Sequence, residues 1–258
     1  MIKLLALMLA LGMTVSLAAC GGSTDSADTT ASESETTEES TDAAETEETA
    51  DAAEASGDGS YVIGICQLVQ HEALDAATQG FKDAVTEALG AENVTFDEQN
   101  ASNDSATCAT IINQFVSNNV DLILANATAP LQAAAQGTDT IPVLGTSVTE
   151  YGVALDIDNF DGLVGTNVSG TSDLAPLDQQ AAMLNELFPD AVNVGLLYCS
   201  AEANSQYQVD TVQGYLEDMV YTCTQYSFSD SNDLSRVATT AATERDVIYL
   251  PPDNTAPA

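Results

Sequence analysis

The chain is 258 residues long and carries 40 acidic residues against four basic ones, a formal net charge of −36 at pH 7. Such a field excludes nucleic-acid binding, which needs clustered Lys and Arg to release phosphate counterions, and it repels phosphorylated metabolites and anionic lipid surfaces. A small neutral or zwitterionic ligand is the class it accommodates most easily.

The first twenty residues read MIKLLALMLALGMTVSLAAC. Lys3 supplies a positive start, residues 4–15 an apolar stretch too short to span a bilayer comfortably, and Leu17, Ala18 and Ala19 a slim approach to a peptide bond that a peptidase can cut. That order is the order of a secretory signal peptide over residues 1–19. The cysteine at the cut resembles the lipobox of bacterial lipoproteins, which implies a diacylglycerol on the Cys20 sulfur and a lipid anchor to the cell membrane. Two acyl chains meet the requirement for stable anchoring. Residues 21–59 hold 13 acids, no Lys or Arg, no aromatic residue and no large aliphatic one. They cannot bury enough apolar surface to fold, and their like charges extend them, so residues 20–59 are expected to form a solvated tether.

From residue 60 onward, apolar runs alternate with amphipathic stretches. Residues 61–66 (YVIGIC) have the continuous apolar character of a strand buried on both faces. Residues 71–89 then carry Leu74, Ala77, Phe81, Ala84, Val85 and Ala88 along one helical face. Further strands are expected over 93–96, 120–125 and 141–145. Between them lie a helix capped by Asp104 or Ser105 and a short helix over 131–135. After a crossing region, strands at 194–199, 221–228 and 247–250 alternate with helices starting near 206 and 231. This alternation argues for parallel sheets covered on both faces. The second part echoes the first at an offset of about 130 residues: strands closed by Cys66 and Cys199, the triplets 102–104 and 231–233 (both SND), and the loops at 126–130 (NATAP) and 254–257 (NTAP). Two similar α/β lobes are therefore expected, the first over 60–165, the crossing over 166–191 and the second over 192–258.

Ligands of open parallel sheets bind beyond the carboxyl ends of the strands. The polar loops at 67–71, 126–130, 146–149, 200–205 and 253–255 occupy those ends and would face one another across a cleft that closes by hinge motion. Four cysteines besides Cys20 form no CxxC or Cys/His cluster, and His71 is the only histidine. No metal site or cofactor is expected. The thiols are read as free, with 66–108 plus 199–223 one of the open pairings.

Several blocks of the folded part resemble the tryptophan/tyrosine-type substrate-binding proteins of ABC transporters: residues 63–82 (IGICQLVQHEALDAATQGFK), 126–135 (NATAPLQAAA), 167–180 (NVSGTSDLAPLDQQ) and 197–208 (LYCSAEANSQYQ). The resemblance implies a type I periplasmic-binding fold, an amino acid as ligand, and delivery to a membrane permease with its ATPase. It also implies further sequence after Ala258, so the second lobe is expected to be short of strands. An amino acid buried in a cleft needs donors for its carboxylate and an acceptor for its ammonium. With so few basic residues, hydroxyls and backbone amides must serve the carboxylate. Thr128 and Thr146 suit that role, and Asp253 suits the ammonium, although helix capping uses the same residue types. Gln67 and His71 in the first loop, Asn126 and Asn254 at strand ends, Asp173 near the crossing, and Glu202 and Asn204 on the second rim complete the candidates. The same fold with a sugar or nucleoside ligand is the alternative. A hydrolase would have to use His71, and the chain has neither a GxSxG elbow nor a Gly-rich phosphate loop, so it is read as not an enzyme.

The anchoring expectation is tested by expression in a bacterium with labelled palmitate. The wild type should take up label and sediment with membranes, and Cys20→Ala should do neither; equal labelling would exclude lipidation at Cys20.

Overall fold

Strand β1 (Tyr61–Gln67) is buried from Ile63 to Gln67 because helices cover both of its faces. The computed structural model describes residues 59–256; the leader, Cys20 and the tether up to residue 58 lie outside the described residues. β1 sits inside a five-stranded, all-parallel sheet of order β2-β1-β3-β4-β5, with β2 (Val94–Asn100), β3 (Leu122–Asn126), β4 (Val143–Val148) and β5 (Val168–Ser172). Alternation along β1 divides its side chains between two cores. Ile63 and Ile65 join Leu124 beneath α1 (Glu72–Leu89) through Phe81 and Val85. Cys66 faces the other way, into the core formed with α2 (Ser105–Asn118), α3 (Thr128–Gly137) and α4 (Tyr151–Leu155).

The second sheet is parallel with order β7-β6-β8, from β6 (Asn193–Cys199), β7 (Thr222–Phe228) and β8 (Val247–Tyr249). Val194, Leu196 and Tyr198 pack against α5 (Leu177–Leu187) and α6 (Ala203–Asp218), while Leu197 and Cys199 pack on the opposite face with Val237 of α7 (Ser231–Glu244). Its strand order matches β2-β1-β3, so the repeat read from sequence is also a repeat of topology. A matching pair of acids reinforces it. Asp121, just before β3, accepts the Val62 N–H at 2.8 Å; Asp246, just before β8, accepts those of Val192 and Asn193 at 3.0 and 2.8 Å. Each carboxylate ties the start of a central strand to its neighbour. Those backbone donors hold the Asp246 carboxyl below its ordinary value.

The crossing is shorter than the sequence suggested. β5 pairs with β4 through Val143–Val168, Leu144–Ser169 and Gly145–Gly170, and α5 buries Leu177, Ala181 and Leu184 in the second core, which leaves residues 173–176 between the lobes. The reason is local: β5 reads VSGTS and buries only Val168, so it lacks the apolar run by which strands are recognised. β2 likewise continues to Asn100, beyond the apolar residues at its start, because an edge strand tolerates polar side chains.

Helix α2 approaches β1 closely because Gly64 has no side chain. A Cβ there would lie 2.6 Å from the Phe115 ring, which is fully buried and has nowhere to move. Gly64→Ala is therefore expected to cost about 1–3 kcal/mol, read as a lower urea midpoint with an unchanged far-UV spectrum. An unchanged midpoint would mean that α2 is not seated on β1 in this way.

Candidate functional site

The carboxyl ends of β1, β4, β5 and β8 open on a cavity of about 350 Å³ between the lobes, within the size range of small-molecule sites. Its first-lobe wall is His71, Ala73 and Leu74 at the start of α1, Ser147 near the end of β4 with Thr149 just beyond it, and Asp173 after β5. The opposite wall is Asn204 of α6 together with residues 250–254 and Ala256 beyond β8. A smaller cavity of about 100 Å³ adjoins it at Asn204 and is lined by Asn103, Thr128, Glu202 and Thr255 among others. The Asn103 amide donates to the Thr255 hydroxyl at 3.0 Å, joining the lobes beside this second cavity.

On the first-lobe wall, His71 caps α1: its Nδ1 accepts the Ala73 N–H at 3.2 Å and its carbonyl accepts that of Asp75 at 2.8 Å. Among the described residues no protein acceptor meets the Leu74 N–H, which remains a donor at the positive end of an 18-residue helix. Among the described residues, neither the Ser147 nor the Thr149 hydroxyl is engaged by protein side chains or backbone, and the Asp173 carboxylate accepts no hydrogen bond. Burial, and secondarily the charge of Asp173, push the Tyr151 phenol up to about 12, so that ring stays neutral beside it. One wall thus presents free donors and one unengaged anion.

The other sequence candidates are used differently. Gln67 donates to the Val69 carbonyl at 2.9 Å and to Asp75 at 2.6 Å, and accepts from Thr78 at 2.7 Å. Asn126, fully buried, donates to the Leu74 carbonyl at 2.8 Å and to Thr78 at 2.9 Å. Both therefore hold the first turns of α1 onto the ends of β1 and β3 and do not line the cleft. Thr146 lies in register with Asn126 and lines neither cavity. The register of β4 breaks between Gly145 and Val148, and Ser147 has a left-handed φ of 54°, which brings Ser147 and Thr149 to the cleft instead. The sequence reading missed these two; the run Thr146, Ser147, Val148, Thr149 was the available signal, but the irregularity that selects among its hydroxyls leaves no sequence mark.

Asp253 lines the cavity but is committed elsewhere. One oxygen accepts the N–H groups of Thr255 and Ala256, both at 2.8 Å; the other accepts the Cys199 N–H at 2.9 Å and the Ser205 hydroxyl at 2.8 Å. A carboxylate has about four acceptor positions, and all are taken. Glu202 is similar, accepting from the backbone and side chain of Asn254 and from the Thr255 hydroxyl at 2.7 Å. Cys199, Glu202 and Asp253 approach one another to within 4.8 Å, but both carboxylates already accept several internal hydrogen bonds. Thr128 opens α3 within the smaller cavity. It is 5% exposed, its hydroxyl has no protein partner among the described residues, and Ala127 before it provides no side-chain cap.

Two α/β lobes joined by a short crossing, with a small cavity between them, define a two-lobed ligand-binding protein of type I periplasmic-binding fold. The profile of the ABC transporter substrate binding protein family matches residues 62–257, and the chain belongs to that family. A tyrosine-binding protein of Clostridioides difficile (strain R20291) is 36% identical over 197 residues, covering 74% of this chain and 56% of that protein. The ABC domain from Streptococcus pneumoniae in complex with L-Trp superimposes with a TM-score of 0.72 at 31% identity, covering 76% of this chain and 67% of that one. A leucine-binding protein from Thermotoga maritima, 14% identical with a TM-score of 0.57, shares the fold over 74% of this chain and 55% of its own. The chain thus spans about half the length of the curated relative it matches.

Because Asp253 anchors three backbone N–H groups and a hydroxyl, Asp253→Ala is expected to destabilise the protein by about 2–4 kcal/mol. Urea unfolding without ligand measures it; an unchanged midpoint would return Asp253 to the list of ligand contacts.

Proposed function

We propose that this chain is the extracytoplasmic, lipid-anchored substrate-binding component of an ABC importer, taking a free amino acid into the cleft and delivering it to a permease with its ATPase. The observation that carries the ligand class is the single unengaged carboxylate, Asp173, on the same cavity as three unused donors: the Leu74 N–H and the Ser147 and Thr149 hydroxyls. An α-amino acid is a small molecule with one cation and one anion on adjacent atoms. In this assignment Asp173 takes the ammonium, in place of Asp253, and the three donors take the carboxylate at the start of α1, where the helix dipole adds to them. Leu250, Pro251 and Pro252 offer an apolar wall to the side chain. The relatives that bind tyrosine and L-Trp support an aromatic one. A sugar or nucleoside would leave Asp173 facing no positive charge, which makes either the weaker reading. The leader and Cys20 support export and anchoring, and residues 20–59 support a tether that holds the lobes clear of the membrane.

Titration calorimetry with L-tyrosine, L-tryptophan and their analogues lacking the α-amino group tests the assignment. Asp173→Asn is expected to weaken amino-acid binding about 10–100-fold and Thr149→Ala about 5–10-fold, the larger loss following from an unpaired cation. Equal affinity for an amino acid and its deaminated analogue would sink it.

A further inference from the structure

Cys66 and Cys108 are fully buried in one core, and neither has a part in ligand binding as assigned above. Their placement follows from the seating of α2 on β1. Gly64 and Cys66, two residues apart, share a face of β1, and Phe115 lies against Gly64. Cys108, Ile111, Ile112 and Phe115 form the buried face of α2. In a parallel sheet the covering helix runs back against the strand, so moving from Phe115 towards the start of α2 means moving from Gly64 towards the end of β1. Two strand residues advance roughly 7 Å and seven helical residues roughly 10 Å, which sets Cys108 over Cys66. The neighbouring Cys108 thiol, together with burial, pushes the Cys66 thiol far above its ordinary value. The four cysteines among the described residues are free thiols, and among them only this pair is juxtaposed. Cys199 is in register with Phe228 and Cys223 with Val194, so five residues of strand, roughly 17 Å, separate them, well beyond disulfide reach.

We infer that Cys66 and Cys108 are a disulfide-forming pair, closed by thiol–disulfide exchange when the chain folds in an oxidising medium. One cysteine thiolate attacks a disulfide oxidant of the glutathione type and displaces one thiol. The second thiolate then attacks that mixed disulfide, forming the Sγ–Sγ bond and releasing the other thiol. Two electrons and two protons leave the protein, and the oxidant is reduced to two thiols. The exchange precedes closure of the core, because in the folded state neither sulfur is exposed and the Cys66 thiol resists ionisation. The bond closes a loop of about 40 residues and pins the first turn of α2 to the end of β1, next to the loop that leads into His71.

The full chain is refolded in glutathione buffers from fully reduced to fully oxidised, denatured under acid quench and alkylated. This arm needs neither export nor a ligand, so its outcome is independent of the proposed function. The oxidised sample should lose the mass of two hydrogens, take up label at Cys20, Cys199 and Cys223 only, and yield a digest fragment joining 66 to 108. Reducing it should lower the melting temperature by about 5–15 °C. Cys199→Ser/Cys223→Ser should behave identically, and Cys108→Ala should lose the mass change. Label at all five cysteines, a glutathione adduct at Cys66 or Cys108, or a bond from either of them to Cys20, Cys199 or Cys223 would each overturn the inference; the wild-type measurement stands even where a variant fails to fold.

Discussion

Carboxylates in this protein are satisfied mainly by N–H and O–H donors, because cations are almost absent. The described residues contain Lys82, Arg236 and Arg245, and their ion pairs with Glu98, Asp233 and Glu244 are solvent-accessible contacts of small energetic weight. Backbone and hydroxyl donors do the remaining work. Asp104, Glu150 and Asp230 cap helices, Asp121 and Asp246 fasten strand starts, and Glu202 and Asp253 knit the loop beyond β8 to the start of α6. Hydrogen bonds to a charged acceptor are stronger than neutral ones and, unlike paired side chains, are held in place by the fold itself.

This economy of cations shapes the cleft. Of the two acids lining the larger cavity, Asp253 is neutralised by four internal donors and Asp173 by none. The distinction between them is not one of residue type or position at a strand end, since both qualify; it lies in whether local donors already converge on the group. An acid inside a cap or knot is structure, and an acid left over is available to a ligand. The same logic separates Thr149, with a free hydroxyl, from Thr78, whose hydroxyl is spent on Gln67.

Much of the architecture was legible in the sequence because both central strands are long apolar runs followed by amphipathic helices. β1 and β6, their neighbouring helices and the repeat between the lobes all carry that mark. β5 did not, since VSGTS offers only Val168 to a core, and so the end of the first sheet was read as crossing. The cleft was legible as a set of loops, and His71, Asp173, Asn204, Asp253 and Asn254 do line the larger cavity. The roles within it were less so. Gln67 and Asn126 turned inward because their side chains have α1 above them, and a backbone irregularity in β4 exchanged Thr146 for Ser147 and Thr149. Both effects arise from three-dimensional neighbours that a linear pattern does not encode.

The Asn103–Thr255 contact between the lobes draws on a hydroxyl that also donates to Glu202. Separating the lobes would break the bond from Asn103 but leave Glu202 its donor, so the second lobe loses no internal satisfaction when the cleft opens. Asn103 itself sits in an exposed turn with a left-handed φ of 62°, where water replaces its partner readily. Breaking this one contact therefore costs about an ordinary hydrogen bond's net worth, ~1 kcal/mol, and leaves the interior of either lobe intact.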